Sequence, residues 1–313
     1  QWFHPKDPEL KLDENITEKD LDNDILKFYK AFRKPIEFKK EYLVKKYLKE
    51  NEPEISFIEN EKYLDDKFNI GSNNWTISGN KTISGYPILA NDPHRTIVAP
   101  SLRYITHLVA PGWDVIGGGE PEIPGISIGH NGFGAWGLTV FRTDAEDLYV
   151  YDINPKNLNQ YWHKGRWYNF KIIKESIPIK GRENFEVDLY YSVHGPVTFI
   201  DKERKKGYAV RCGWLEPGGS PYLDSLRMNQ SKSWEEFREA CNYSNIPGEN
   251  MIWADREGNI GWQAVGIAPI RNTHSGLVPV MGDGRYEWVD YLPIIEKPNI
   301  FNPEEDFLSL IHI

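Results

Sequence analysis

The apolar positions of the chain follow two rhythms. Thr17-Glu18-Lys19-Asp20 reads as a capped helix start, a hydroxyl followed three residues later by a carboxylate, and Leu21, Ile25, Phe28 and Phe32 recur at helical spacing until Pro35. A second, less regular helix is predicted over 38–48, closed by Glu50-Asn51-Glu52-Pro53, and residues 55–69 read as loop or short helix. From Ser72 onward the period shortens to two. Runs bounded by Gly, Pro and Asn predict strands at 75–78, 81–84, 88–90, 104–109, 126–128, 135–140, 148–153 and 187–193. The clearest hairpin joins 251–255 to 259–263 across Arg256-Glu257-Gly258, and Ser233-Trp234-Glu235-Glu236 is a capping box that opens a helix through Phe237 and Ala240. Closely spaced strands of this kind favour antiparallel sheet over alternating β-α-β units.

The change of rhythm at Gly71-Ser72 divides the chain into a helical segment, 1–71, and a strand-rich segment, 72–313. On local sequence alone, Ile70-Gly71-Ser72-Asn73-Asn74-Trp75 is a turn entering a first strand. The full length of 313 residues is enough to bury a large core, and no repeat or low-complexity segment interrupts it.

A net charge of −9 excludes the clustered positive charge that nucleic-acid binding requires, and the basic residues between Lys27 and Lys49 alternate with Glu and apolar positions as on a solvated helix surface. Cys212 and Cys241 make no disulfide framework and no metal-ligand spacing. No apolar run approaches the roughly 20 residues of a membrane span. Gln1 opens no signal-peptide pattern, and the compartment stays open. Eleven Trp and seventeen Tyr serve chiefly as core and hairpin packing, with a minority able to line an apolar ligand site.

Candidate chemistry comes from motifs in series. After Gly71-Ser72-Asn73-Asn74-Trp75 come Asp92-Pro93-His94-Arg95, the stretch from Pro124 to Gly132 that includes Gly129-His130-Asn131-Gly132, Ala135-Trp136-Gly137-Leu138-Thr139-Val140 and Asp144-Ala145-Glu146-Asp147. His194-Gly195-Pro196-Val197, Asn250-Met251-Ile252-Trp253-Ala254-Asp255 and Arg271 follow. Each motif alone is weak; together, in this order, the series resembles the penicillin acylase (penicillin amidase) family of N-terminal-nucleophile hydrolases over about residues 71–307.

That resemblance implies an α+β fold, a four-layer α/β/β/α sandwich of antiparallel sheets, and a precursor cut between Gly71 and Ser72. Ser72 then becomes both nucleophile and chain start. A serine hydroxyl needs a base at neutral pH, and a free α-amine on the same residue, with an ordinary pKa of about 7.7–8.0, can serve. Gly71 suits the cut because a residue without Cβ tolerates strained backbone. The oxyanion donors implied are the Val140 N–H, which falls at the family spacing from Ser72 without a gap, and the Asn250 side-chain amide, before which the chain is shorter than in penicillin G acylases. His94 stands where penicillin G acylases carry Gln and other acylases carry His, and it is expected to orient the Ser72 amine or hydroxyl. Arg271 is expected to support the oxyanion-hole Asn or to meet a substrate carboxylate. His130, Asn131 and His194 read as architectural. Asp144, Asp147 and the Glu146 carbonyl match the family's calcium ligands, but two carboxylates are too few for the usual six to eight oxygens.

The resemblance therefore implies hydrolysis of a small N-acyl amide by α and β chains of one precursor, with an apolar or aromatic acyl group mildly favoured. The apolar tail 308–313 departs from the family pattern, which raises the expectation of a shortened or split chain that associates with itself or with a complementing chain. Two competing readings are an unprocessed, inactive relative and a carbohydrate-active β protein, the latter needing a pair of carboxylates in an aromatic cleft that no motif supplies.

Overall fold

A computed structural model of the chain describes residues 10–21, 23–32, 71–95 and 101–310. The predicted helix at 38–48 and the segment 55–69 lie outside them. The first predicted helix begins as two 3-10 turns, Glu18–Leu21 and Asn23–Leu26, and becomes α-helical over Lys27–Phe32. Asp20 supplies its start signal, because Oδ2 accepts from both the Thr17 hydroxyl at 2.7 Å and the Thr17 N–H at 2.8 Å.

The strands run in order as β1 (Gly71–Ile77), β2 (Ile88–His94), β3 (Tyr104–Ala110), β4 (Trp113–Gly119), β5 (Ile128–His130), β6 (Gly134–Val140) and β7 (Glu146–Asp152). Then come β8 (Gln160–His163), β9 (Arg166–Asn169), β10 (Lys171–Ile177), β11 (Phe185–Ser192), β12 (Gly195–Asp201) and β13 (Lys206–Cys212). Beyond two helices, Ser225–Met228 and Trp234–Cys241, follow β14 (Glu249–Asp255), β15 (Ile260–Ala264), β16 (Pro269–Arg271), β17 (Val280–Met281), β18 (Trp288–Tyr291), β19 (Asn299–Phe301) and β20 (Phe307–Leu310).

Three sheets carry the architecture. A seven-stranded sheet has the order β19-β15-β14-β6-β5-β4-β3, a six-stranded sheet β10-β11-β12-β13-β7-β17, and a small sheet β2-β1-β20. Among the described residues every strand pair is antiparallel except β7 with β17. One face of the seven-stranded sheet is covered by the helix Trp234–Cys241. Ser233 caps that helix by accepting from Glu236 N–H, and Trp234, Phe237 and Cys241 project at helical spacing onto Trp136, Met251 and Trp253. The small sheet lies on the opposite face, so β14 is buried at all seven positions. Helix, sheet and sheet make three layers of the expected sandwich among the described residues. The six-stranded sheet has its own aromatic core around Tyr149, Tyr151, Tyr161 and Phe170, and the N-terminal segment packs Ile16 and Ile25 against Val150, Tyr208 and Met281.

Several expectations change. Residues 81–84 form no strand, because Gly79–Lys81 is a 3-10 turn capped by Ser78 and Thr82 Oγ1 donates to the Tyr86 carbonyl at 2.7 Å, folding the segment on itself. The strand expected at 126–128 starts only at Ile128, since Asn229 takes the place of a partner strand: its Oδ1 accepts from Ile126 N–H and its Nδ2 donates to the Ile126 carbonyl, both at 2.8 Å. The apolar tail as far as Leu310 belongs to a strand, β20, pairing with β1 from Ile77↔Phe307 to Asn74↔Leu310.

The contact of the small sheet with β6 depends on Gly137, where an added Cβ would lie 2.4 Å from Asn91 Oδ1 and 2.9 Å from Asn91 Cβ. Gly137→Ala is expected to push β2 off β6 and to destabilise the chain by about 1–3 kcal/mol in urea unfolding. A variant as stable as the original would show that the two sheets are not in close contact there.

Candidate active site

Ser72 is placed by strand parity. In β1 the side chains of Asn74 and Thr76 are fully buried, and successive side chains alternate between faces, so Ser72 shares their inward face. Asn74 Nδ2 donates to Asn91 Oδ1 at 3.4 Å and to the backbone carbonyl of Asn250 at 3.5 Å. Ser72 therefore lies one pleat, roughly 7 Å along the strand, from the residue that touches β14.

The end of β6 is built to leave an amide pointing outward. Phe141 N–H donates to the Gly248 carbonyl at 2.9 Å, and the next pair inward is Val140 opposite Glu249. Because hydrogen-bonding direction alternates along an antiparallel strand, the Val140 N–H is turned away from β14. On that other side, β5 pairs with β6 no further than Trp136. Asn250 is fully buried behind this end. The Trp262 indole N–H, which can only donate, reaches Asn250 Oδ1 at 2.9 Å and so fixes the orientation of the amide. Asn250 Nδ2 then donates to Thr139 Oγ1 at 3.2 Å and to the Val140 carbonyl at 3.1 Å. Both amide protons are committed within the sheet, and the side chain acts as a clasp on Val140.

Gly71 and His94 face each other across the β1–β2 pair, and Asp92 and Asn73 lie on the same outer face. His94 Nε2 is 3.0 Å from Asp92 Oδ2 and 3.4 Å from Asn73 Nδ2. The structure thus brings His94 beside Gly71, on the face opposite the Ser72 side chain. Gly71 has extended backbone within β1, and among the described residues an added Cβ would meet only His94 Nδ1, at 3.6 Å. Arg95 Nη1 donates to the Gly71 carbonyl at 3.0 Å and to the His94 carbonyl at 2.8 Å.

The family profile described as penicillin amidase matches residues 7–310. The chain belongs to the penicillin amidase family. It is 28% identical over 239 residues to penicillin G acylase of Escherichia coli, covering 76% of this chain and 28% of that protein. It is 29% identical over 251 residues to acyl-homoserine lactone acylase QuiP of Pseudomonas aeruginosa, covering 76% of this chain and 30% of that protein. It is 28% identical over 242 residues to penicillin acylase 2 proenzyme of Pseudomonas sp. (strain SE83), covering 74% and 30%. Among solved structures, the thermostable penicillin G acylase of Alcaligenes faecalis superposes with a TM-score of 0.72 at 28% identity, over 77% of this chain and 44% of that one. The chain spans under a third of the length of these curated relatives.

In this penicillin amidase chain, the residues expected to bind calcium hold a guanidinium. Arg271 Nε donates to Asp147 Oδ2 at 2.8 Å, its terminal nitrogens reach the Asp144 carbonyl at 3.4 Å, and Nη2 lies 3.5 Å from Asp144 Oδ1. His274 and the Trp288 indole N–H converge on the same Asp147 oxygen, while Glu146 is exposed with its carboxylate near Cys212 Sγ at 3.4 Å. Burial opposes the charge on Asp147, but the hydrogen bonds from His274 and Arg271 outweigh it and hold the carboxyl below its usual range. Gly276, with φ +79°, closes over the other oxygen, so that a Cβ there would lie 2.8 Å from Asp147 Oδ1. Among the described residues no group of three or more His, Cys, Asp or Glu is placed to hold a metal. In this structure the Arg271 guanidinium takes the place of a cation beside both carboxylates and offsets one of their two charges. EDTA or added calcium is expected to leave the thermal unfolding midpoint unchanged; a calcium-dependent rise would show that the ion displaces Arg271.

Asn131 and His194 build the surroundings. Asn131 Nδ2 donates to the carbonyls of Asn229 and Ser231, and its Oδ1 accepts from Phe133 and Gly134 N–H, tying the turn before β6 to the helix region; His130 beside it is exposed. His194 stacks on Tyr149 and reaches Glu287 Oε2 at 3.0 Å.

Glu249, opposite Val140, carried no signal in the sequence. It is 3% exposed, and among the described residues the Tyr222 O–H donates to its Oε1 at 3.5 Å. Burial pushes its carboxyl up to about 7 against the pull of Arg95 and Tyr222. The folded state therefore keeps a proton that the unfolded chain, with an ordinary value near 4.3, releases. This contribution to stability is complete below about pH 4 and is lost as pH rises through 7. Glu249→Gln is expected to remove that fall, so that between pH 5 and 8 urea unfolding shows a loss smaller by on the order of 2–3 kcal/mol than in the original. Identical pH profiles would contradict the assignment.

Proposed function

We propose that this chain carries the nucleophile-bearing core of an N-terminal serine amidohydrolase that cleaves a small N-acyl amide. The supporting observation is the inward placement of Ser72 on a strand packed against β6 and β14, in a chain of the penicillin amidase family. In the uncut chain the Ser72 nitrogen is part of a peptide bond and has no basic lone pair. Cleavage after Gly71 frees the amine, which accepts the hydroxyl proton as Oγ attacks the substrate carbonyl. The acyl group passes to Oγ, the amine product leaves, and water releases the acid.

The Val140 N–H, turned out from β14, is the donor for the tetrahedral oxyanion, with a worth of about 3 kcal/mol typical of such groups. Asn250 holds the Val140 carbonyl so that this strand end stays in place. Once Gly71 is released, His94 and its partner Asp92 stand next to the new chain start and orient the amine. Arg271 pins the Asp144–Asp147 turn that follows Val140, which keeps the β6 end from fraying. The names of the relatives, acylases of penicillin G and of acyl-homoserine lactones, favour an N-acyl amide with an apolar acyl group. No helix among the described residues is long and apolar enough to cross a membrane.

The α and β chains of one precursor are the first partners implied. A further partner, a complementing chain or a second copy, would add at an open sheet edge. Strand β3 ends the seven-stranded sheet with Ile105 and Val109 exposed at 83% and 71%.

Intact-mass measurement decides the reading. The protein is expected to resolve into fragments 1–71 and 72–313 and to hydrolyse an N-acyl amide, whereas Ser72→Ala stays in one piece and is inactive. An uncut but folded wild type would mark an unprocessed relative, and an active Ser72→Ala protein would overturn the mechanism.

A further inference from the structure

The geometry points to Arg95 as a catalytic residue of the self-cleavage step: its guanidinium is the electrophile that receives the charge developing on the Gly71 carbonyl oxygen. This inference rests on the proposed cut between Gly71 and Ser72 and adds the group that drives it.

The site follows from strand pairing. Gly71 opposes His94, the last residue of β2, so Arg95 is the first residue beyond the paired strands. There its side chain folds back over the pair, and one nitrogen, Nη1, binds both carbonyls, that of Gly71 at 3.0 Å and that of His94 at 2.8 Å. The bond to His94 anchors the guanidinium on its own strand and aims the remaining donor at Gly71. Ser72, whose hydroxyl is the attacking group, is the next residue, and its side chain points to the inner face. Nucleophile and electrophile thus address the same peptide group from β1 and from the end of β2.

The chemistry balances without another reactant than water. Ser72 Oγ forms a bond to the Gly71 carbonyl carbon, and the carbonyl electron pair moves onto the oxygen held by Arg95. As the C–N bond breaks, the hydroxyl proton is relayed to the Ser72 nitrogen, leaving an ester and a free amine. Water then adds to the ester, Oγ regains a proton, and Gly71 ends as a carboxylate. Arg95 suits this task better than a neutral donor, because the hydrogen bond of a guanidinium cation to an oxyanion is charge-assisted. It also suits the product, since the new Gly71 carboxylate forms beside a guanidinium that can keep the end of the first chain in place. Gly71 has extended strand backbone without a positive φ, and among the described residues a Cβ there would find room.

The test follows the rate of conversion of freshly prepared full-length protein into 1–71 and 72–313 by intact mass. Arg95→Gln is expected to slow conversion about 100-fold, the usual cost of losing an oxyanion donor. Arg95→Lys is expected to fall between, and guanidinium at sub-denaturing concentration is expected to recover part of the rate in Arg95→Ala. Circular dichroism and unfolding midpoints separate folding from chemistry. An Arg95→Gln protein that is less stable but cuts at the wild-type rate per folded molecule would reduce Arg95 to a surface tie and leave the proposed function standing. A wild type that never cuts would overturn both. If Arg95→Gln does not fold, the Lys variant decides: wild-type speed in Lys together with no guanidinium response in Ala would reject the inference.

Discussion

The site depends on a polar seam between two sheets. Asn74, Asn91 and Asn250 meet where the β1–β2 hairpin lies on β6 and β14, and Gly137 lets Asn91 come close enough to close the seam. Packing amides rather than aliphatic groups here costs stability, since buried polar atoms must find partners. Among the described residues Asn74 Oδ1, Asn91 Nδ2 and Thr76 Oγ1 have none. The opposite face of the same sheet shows ordinary core economy, with Trp136, Trp253 and Phe237 interlocked under a capped helix. A protein keeps such a poorly satisfied interface where chemistry needs polar atoms, and this one runs along the strand that carries Ser72.

From the seam outward, each element has a positioning task. Asn250 joins the seam through its backbone carbonyl and clasps Val140 through its amide, so the strand carrying the outward N–H and the strand touching β1 are locked together. Trp262 on β15 sets the direction of that amide, extending the network to a third strand. Past the end of β6, Arg271 fastens the turn that holds Asp144 and Asp147.

The fold was legible wherever one face of an element alternated clearly. The 251–255 and 259–263 hairpin, the helix after Ser233 and the strand ending at Val140 emerge at nearly their expected bounds, the helix because burial on one side imposes a period, the strands because turn residues bracket short apolar runs. Strands β8 to β10 and β12 to β13 lie outside the expected set. In β10 and β12 neither face is buried, so no period of burial marks them, and each is held by its neighbouring hairpin strand. The segment at 81–84 had strand-like residues and still folded into a turn, since a local hydroxyl cap and a return bond to Tyr86 outcompete a ladder with no neighbour.

By itself, the sequence determined the nucleophile candidate, the family, and the identity of the residues around Ser72, because motif order and spacing are properties of a line. Tertiary structure alone decided direction. It put the Ser72 side chain on the inner face and His94 on the outer, spent the Asn250 amide on Val140, filled the acidic turn with Arg271, and brought Arg95 onto the Gly71 carbonyl. The reason is physical: hydrogen-bond geometry and strand parity act across space between residues far apart in the chain, 176 positions for Asn74 and Asn250, and a motif records which groups are present but not which way they face.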